Sequence, residues 1–503
     1  MLRPRLPRLL SVVALAALLV AGLLAANRAR AASSPTAAGC STTRHAVAHH
    51  AGGALVAGVA GAPVPCETLT GFGGAETRIA VTADGTVVYE PATMTPGLAG
   101  TGFVRGAPGP KLSTSLEPGG LAVTQDQGAH WRFVKPGGIT WVPQDDQLYV
   151  DRTTGRIFYY ALSPNPVPQS GGVPTEDQIP AGHAHLMVSG DDGRTWRYSA
   201  LTPFVESENP RFAAAPAPQG GARPVGYPNV AYWCGNDMLF FWTAPVIPGY
   251  RACYRSLDGG QSWSKSSILF SQPVPTHSEC GTNPEVFNAD DGNYPEPGPD
   301  GSLYVMVVCG SNTFLAKSTD EGATWPILRN GKGNPLTIPP TNELRVDDNG
   351  NLYALHLEGS HLLLRVSRDG GLDWSAPLDI TAPGVTSISQ WFVAERGAEV
   401  AVSYLATTGS ASGLDGYLTV TRDALATDPL FWSSTINPPG QPLYNGSPAQ
   451  ARDDFIGADI GPEGTAWASF FTSCAAGSKK PGCAGQAGNP QASGAVAGRL
   501  AFP

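Results

Sequence analysis

Residues 318–325 read STDEGATW, and four other segments repeat the pattern Ser/Thr-x-Asp-x-Gly-x-x-Trp without a mismatch: TQDQGAHW at 124–131, SGDDGRTW at 189–196, SLDGGQSW at 256–263 and SRDGGLDW at 367–374. A degraded sixth copy begins at Thr421-Arg422-Asp423, with Trp432 arriving late. The aspartates at 126, 191, 258, 320, 369 and 423 follow one another at intervals of 65, 67, 62, 49 and 54 residues, the length of one four-stranded sheet with its loops. The chemistry is that of a hairpin turn: the carboxylate accepts backbone N–H groups across the turn, Gly supplies a positive φ, and Trp packs beneath. Five of the eleven tryptophans are committed in this way, so Asp126, Asp191, Asp258, Asp320 and Asp369 are structural residues rather than catalytic acids.

A weaker repeat lies upstream of each turn, two apolar strands joined at a glycine: Gly85, Gly155, Gly235, Gly301, Gly350, Gly397 and Gly464. Each downstream strand is rich in Val, Leu, Tyr, Phe or Trp, as a pleated, largely buried segment should be. Seven such pairs against six Asp turns predict a single all-β propeller of four-stranded blades, with seven blades preferred and six the alternative. The last unit, from about Asp453, lacks an Asp turn and is expected to be completed by the C-terminal strand near Arg499-Leu500-Ala501-Phe502. Gly and Pro contribute 107 of 503 residues and only 15% of the chain is charged, a composition that suits turn-dense β structure.

The five perfect copies resemble the Asp-box, or BNR, repeat of the sialidase-like superfamily, a resemblance that runs over most of the chain. It implies a β-propeller, six-bladed in sialidases themselves, on which glycoside hydrolases and non-catalytic binding proteins both occur. A sialidase uses three arginines to clamp the substrate carboxylate, a Tyr nucleophile activated by a Glu, and an Asp general acid/base. Thr77-Arg78-Ile79-Ala80 is similar to the Arg-Ile-Pro motif of the first clamp arginine, with Ala80 in place of proline. Glu296 matches the Glu that precedes the fourth strand pair, but Leu303–Gly310 ends in valine and cysteine where a clamp arginine is implied. Tyr404 is the candidate nucleophile by its late position, and a core aromatic in an apolar strand is the competing reading. Asp453 and Asp454 are acid/base candidates, since neighbouring carboxylates push each other's pKa values apart, with a solvated loop as the alternative. Glu206 and Glu208 stand under the same alternatives.

No metal or cofactor is expected. His183 and His185 alternate on a predicted strand without an identifiable third ligand, and His45, His49 and His50 cluster in a tract that reads as solvated. Asp347-Asp348-Asn349-Gly350-Asn351 and Asp290-Asp291-Gly292-Asn293 have a calcium-like composition without the full loop, and read as hairpin turns.

At the N-terminus, Arg3, Arg5 and Arg8 precede a small-and-apolar run from Leu9 to Ala26, and Ala29-Arg30-Ala31 fits a cleavage site. Residues 1–31 are thus expected to be a signal peptide, 32–70 a flexible lead-in and 71–503 the propeller. An uncleaved anchor is the alternative, and only that form would hold the protein at a membrane. Cleavage removes five arginines and no acids, taking the formal net charge from −9 to −14, which argues against nucleic acid as a partner. The remaining cysteines, at 40, 66, 234, 253, 280, 309, 474 and 483, pair most simply as neighbours in an oxidising compartment, though eight allow 105 pairings. The expected product is a secreted monomer that recognises a glycan or protein ligand through its central face; an exo-acting glycoside hydrolase with a diverged site is the alternative.

Overall fold

The computed structural model describes residues 39–73, 77–91, 120–138, 144–162, 184–199, 207–237, 250–270, 295–309, 312–409, 413–444, 456–473 and 493–503. These residues form seven antiparallel sheets. Blade 1 contains Arg78–Val81, Val87–Glu90, Leu121–Thr124 and Arg132–Val134. Blade 2 contains Gln144–Asp151, Arg156–Leu162, Ala184–Ser189 and Arg197–Tyr198. Blade 3 contains Ser207–Ala215, Val230–Asp237, Tyr250–Ser256 and Ser264–Phe270. Blade 4 contains Glu296–Pro297, Leu303–Cys309, Asn312–Ser318 and Thr337–Ile338. Blade 5 contains Glu343–Val346, Leu352–Glu358, His361–Ser367 and Leu378–Asp379. Blade 6 opens with Val385–Arg396, Glu399–Thr408, Asp415–Thr421 and Phe431–Thr435. Blade 7 opens with Gly457–Ile460, Ala466–Ser473 and Ser493–Ala501. The first strand of every blade packs against the first strands of both neighbours, and blade 7 returns to blade 1, so the ring is a closed seven-bladed propeller.

The five Asp turns all join the third strand of a blade to its fourth. In the copy at 318–325, the Ser318 hydroxyl donates to Asp320 Oδ1 at 2.9 Å and accepts from Gly322 N–H at 2.9 Å. Asp320 also accepts from the Thr324 backbone and hydroxyl, at 2.9 and 2.6 Å. The Trp325 indole N–H closes the motif on Gly322 O at 3.0 Å. Two consecutive residues of the turn are left-handed, Glu321 at φ 60° and Gly322 at φ 77°, so the residue before the conserved glycine shares the positive φ. The glycine is needed for a second reason: a Cβ at Gly260 or Gly371 would lie 2.8 or 2.7 Å from side chains of the preceding blade, Phe158 and Leu315 respectively. The turn therefore fastens one blade to the next as well as closing its own hairpin. Between blades the core is apolar, with Leu303, Val305, Tyr232 and Trp325 buried between blades 3 and 4, and Leu355, Val402 and Tyr404 between blades 5 and 6.

The N-terminal expectation is corrected by this topology. The tract expected to be a flexible lead-in supplies two strands: Val47–His49 adds a fifth strand to the outer edge of blade 6, and Val64–Gly73 is the outer strand of blade 7. The C-terminal strand Ser493–Ala501 does not end blade 7 but lies third in it, between Ala466–Ser473 and the N-terminal strand. The ring is closed by pairing the two ends of the chain, which hides a sheet edge that would otherwise be open. Composition misled because Ala, Gly and Thr can form an outer strand without contributing large core side chains. Cys40 is disulfide-bonded to Cys66 beside this closure, and Cys234 to its directly opposed partner Cys253 in blade 3. The expected Cys280/Cys309 and Cys474/Cys483 pairs fall on positions outside the described residues or side chains.

Candidate functional site

The inner strands of all seven blades line one central cavity of about 330 Å³. Each gives it at least one charged or polar side chain. Arg78, Arg152 and Arg211 come from blades 1, 2 and 3; Glu296 and Arg345 from blades 4 and 5; Glu395 and Asp459 from blades 6 and 7. Four arginines thus converge on the axis, together with the aromatic ring of Phe392. The Arg345 guanidinium lies 4.7 Å from that ring centroid and Arg78 5.8 Å from it, within cation–π range.

Two of the arginines are engaged by acids, mostly from other blades. Arg345 meets Glu296 at 2.9 Å and Glu343 at 3.5 Å, and its Nε donates to Val393 O at 2.9 Å. Arg152, at the end of the blade 2 inner strand, reaches across the axis to Glu395 at 3.1 Å and Asp459 at 2.5 Å, on blades 6 and 7. It is a crossbar, and it ties strands that share no sheet. Burial disfavours its charge, yet Asp459 and Glu395 outweigh that and hold the guanidinium protonated more firmly than usual. Asp459 further accepts the Val81 N–H at 2.7 Å, joining blade 7 to blade 1. Arg78 donates to Ile456 O at 3.1 Å.

The carboxyl groups respond to this setting. Burial pushes Glu395 up to about 7, Arg152 opposes the rise, and the charges of Glu296, Asp348 and Asp347 add to it. Burial also raises Glu296, against the pull of Arg345 and Arg152. Asp151 is held differently, as the acceptor of hydrogen bonds from Tyr227 Oη, Asn229 Nδ2 and the Thr153 backbone.

The structure separates the sequence candidates. Arg78 and Glu296 both line the cavity. Tyr404 is fully buried between blades 5 and 6, with its ring stacked 5.2 Å from Tyr417 and its oxygen accepting the Ala382 N–H at 3.0 Å. Burial raises its phenol above the ordinary value. The tyrosine that does line the cavity is Tyr149, whose oxygen accepts the Ala214 N–H at 3.0 Å and whose phenol is pushed well up by burial, Asp151 and Tyr227. Asp453, Asp454, Glu206, His183 and the 290–293 turn lie outside the described residues, as do the side chains of Glu208 and His185. Asp347 does form a turn, accepting from Asn349 and Asn351 backbone groups at 2.8 Å each. Among the described residues, no cluster of three or more His, Cys, Asp or Glu side chains is arranged to hold a metal ion.

Arg152, Arg211, Arg345, Glu395 and Asp459 escaped the sequence reading. A signal for part of the set was present: Glu296, Arg345 and Asp459 each stand five residues before a hairpin glycine, at 301, 350 and 464. A charge at that fixed offset in an otherwise apolar strand marks the channel.

No known family profile matches the chain, and no curated protein matches it. Among solved structures it is similar to a protein of unknown function from Dyadobacter fermentans, with a TM-score of 0.41 and 15% identity over 72% of this chain and 95% of that one. It is also similar to the NanB sialidase of Streptococcus pneumoniae, with a TM-score of 0.38 and 14% identity over 86% and 69%. A third is the α-L-arabinanase of Penicillium chrysogenum, with a TM-score of 0.36 and 15% identity over 74% and 99%. By its own strand order the chain is a seven-bladed β-propeller, and the solved structures it is similar to include a sialidase and an arabinanase.

Proposed function

We propose that this chain is a carbohydrate-recognition propeller that holds a glycan in its central cavity without hydrolysing it. The observation that carries the reading is how the polar groups of the cavity are committed. Arg345 and Arg152 are each neutralised by acids of the protein itself, so they are poor clamps for a ligand carboxylate, and the phenol lining the cavity is made less acidic rather than activated. A cavity of about 330 Å³ suits one or two sugar rings, and Phe392 offers an apolar face against which a ring can pack. We read the chain as exported, with its leader removed near Ala31; the two disulfides suit an oxidising compartment. We read it as a monomer, since the closed ring leaves no sheet edge that demands a partner.

A second reading, an exo-acting glycoside hydrolase, draws on Glu395: a cavity carboxyl that titrates near 7 could protonate a leaving group. Incubation of the mature chain with a fluorogenic sialoside and a panel of aryl glycosides, beside a glycan array, separates the two. The recognition reading expects array binding and no turnover. Turnover that disappears in Glu395→Gln or Arg78→Ala would replace it with the hydrolase.

A further inference from the structure

Six carboxyl groups line the central cavity against four guanidinium groups. Three of the six are spent inside the fold. Asp151 holds Tyr227, Asn229 and the Thr153 N–H, and Asp347 holds its own turn. Asp459 holds Arg152 through one oxygen and the Val81 N–H through the other. Glu296 and Glu395 are only half committed. Oε1 of Glu296 accepts from Arg345 at 2.9 Å and Oε1 of Glu395 from Arg152 at 3.1 Å, while Oε2 of each has no partner among the described residues. Neither oxygen is sealed away from solvent. The two side chains keep 14% and 10% of their surface accessible, in the one cavity that both of them line.

A ligand has a way in beside them. The exposed residues of the cavity lining are Thr153, Pro216, Pro299 and Asp348, and each stands one or two positions past the end of an inner strand, in blades 2, 3, 4 and 5. The mouth therefore lies on the face where the first strand of a blade turns into the second. Glu296 and Glu395 stand at that level, each one residue before the end of its inner strand. They also share one electrostatic field: burial raises both carboxyls, Arg345 and Arg152 pull Glu296 down, Arg152 pulls Glu395 down, and the charge of Glu296 pushes Glu395 up. Asp348 adds negative charge from the mouth. A hydroxyl group would satisfy an open oxygen and leave the repulsion in place, whereas an ammonium group donates to both oxygens and cancels it. Two open oxygens are too few to cage a divalent metal ion, and an ammonium group needs no cage. We propose that Glu296 and Glu395 form a subsite for the ammonium group of an amino sugar, entered from this face of the ring. This rests on the recognition reading above and names the class of sugar that is read.

The test compares two sugars that differ in charge alone. The mature chain and its Glu296→Gln and Glu395→Gln variants are titrated calorimetrically with the β-1,4-linked disaccharide of glucosamine, its amines free, and with the N,N′-diacetyl form, which has the same rings and linkage and no charge. The free-amine sugar should bind about tenfold more tightly than the acetylated one, the size of a charge-assisted hydrogen bond, and each variant should lose most of that preference. Binding of the free-amine sugar should also tighten from pH 5 to pH 7 in the unmodified chain, as Glu395, raised to about 7, gives up its proton, and this gradient should vanish in Glu395→Gln. The pH arm needs no variant to show the gradient, so it reports even if Glu296→Gln, which alters the pair with Arg345, folds poorly. Equal binding of the two sugars, or a preference for the acetylated one, would overturn the proposal and leave the recognition reading standing. So would binding of neither, where other sugars of the glycan array bind. If the chain binds no sugar at all, the recognition reading fails first, and the subsite with it.

Discussion

The rim of Asp turns and the central channel are both crowded with charge, and they satisfy it in opposite ways. At the rim each turn aspartate is held by its own eight residues: Asp191 takes Ser189, Thr195 N–H and Thr195 Oγ1, and Asp258 takes Ser256 and Ser262 in the same pattern. In the channel the partners span blades, since Arg345 of blade 5 is held by Glu296 of blade 4 and Val393 of blade 6 as well as by Glu343 of its own strand, and Arg152 of blade 2 by blades 6 and 7. The hydrogen bonds of one turn aspartate can therefore be lost without removing those of another, whereas the channel behaves as one object. The axis of a propeller is the place where distant blades come within reach of one side chain, and that is where its long-range order is fixed.

The sharpest way to break this contrast is to remove Arg345, which is 8% exposed. Arg345→Ala removes the counter-charge of Glu296 and Glu343, and a broken buried ion pair costs about 3 to 5 kcal/mol. Urea denaturation should show that loss, and Arg345→Ala combined with Glu296→Ala should cost much less than the sum of the two single changes. Additive losses would mean that the channel is no more coupled than the rim. The rim supplies the control. Asp126→Ala and Asp320→Ala each remove several exposed hydrogen bonds and should cost about 1 to 2 kcal/mol. As these turns belong to blades 1 and 4 and share no partner, the double variant should be additive to within about 0.5 kcal/mol.

What could be read in the sequence follows the same division. The turn motif is local, so eight letters disclose its hydrogen bonds, and its repetition discloses the blades; the hairpin glycine at 464 added the seventh blade that the Asp turns alone would not have counted. Arg78 and Glu296 were found because they sit beside recognisable strand-opening patterns. Arg152 was not, because Asp151-Arg152-Thr153-Thr154-Gly155 looks like any polar hairpin turn, and only ring closure brings Asp459, 307 residues away, to its guanidinium. The N-terminal strands were missed for a related reason: Val64–Gly73 has a partner strand at the other end of the chain, and nothing nearby shows that its backbone will be paired.

Proton linkage extends the comparison to the channel and the N-terminal strand, with slopes of opposite sign. Glu395 is raised to about 7 in the folded chain. Its unfolded value is close to 4.3, so between those limits the folded state binds the extra proton and stability falls as pH rises. Glu395→Gln should therefore flatten the decline in Tm between pH 5 and 7. A decline that is unchanged in the variant would place its origin elsewhere.

His49 should give the smaller effect and the reverse slope. It is fully buried on the strand added to blade 6, ringed by Phe431 and by a chain of hydroxyls. Each link runs one way: Ala382 N–H donates to Tyr404 Oη, then Tyr404 to Thr419 at 3.0 Å, Thr419 to Ser433 at 2.7 Å, and Ser433 to His49 Nε2 at 2.8 Å. His49 Nδ1 completes the series by donating to His50 O at 3.0 Å. The chain closes only with a neutral imidazole, because a proton on Nε2 would reverse Ser433 and Thr419 and leave the Tyr404 hydroxyl hydrogen without an acceptor. Burial accordingly lowers the His49 pKa, against the pull of the His50 carbonyl and of Asp379, which is itself paired with His361 at 2.8 Å; the neighbouring His50 faces Asp428 at 2.9 Å. Below about 6.5 the unfolded chain takes up a proton that the folded chain refuses, so stability drops as pH falls through that value. The Cys40–Cys66 bond limits how far the strand can depart, so the change should be a local opening. Hydrogen exchange at Val47–His49 and Phe431–Ser433 should accelerate between pH 7 and 5 relative to the rest of blade 6, and His49→Gln should abolish the difference. Equal acceleration across the blade would show that this strand is no weaker than the sheet it extends.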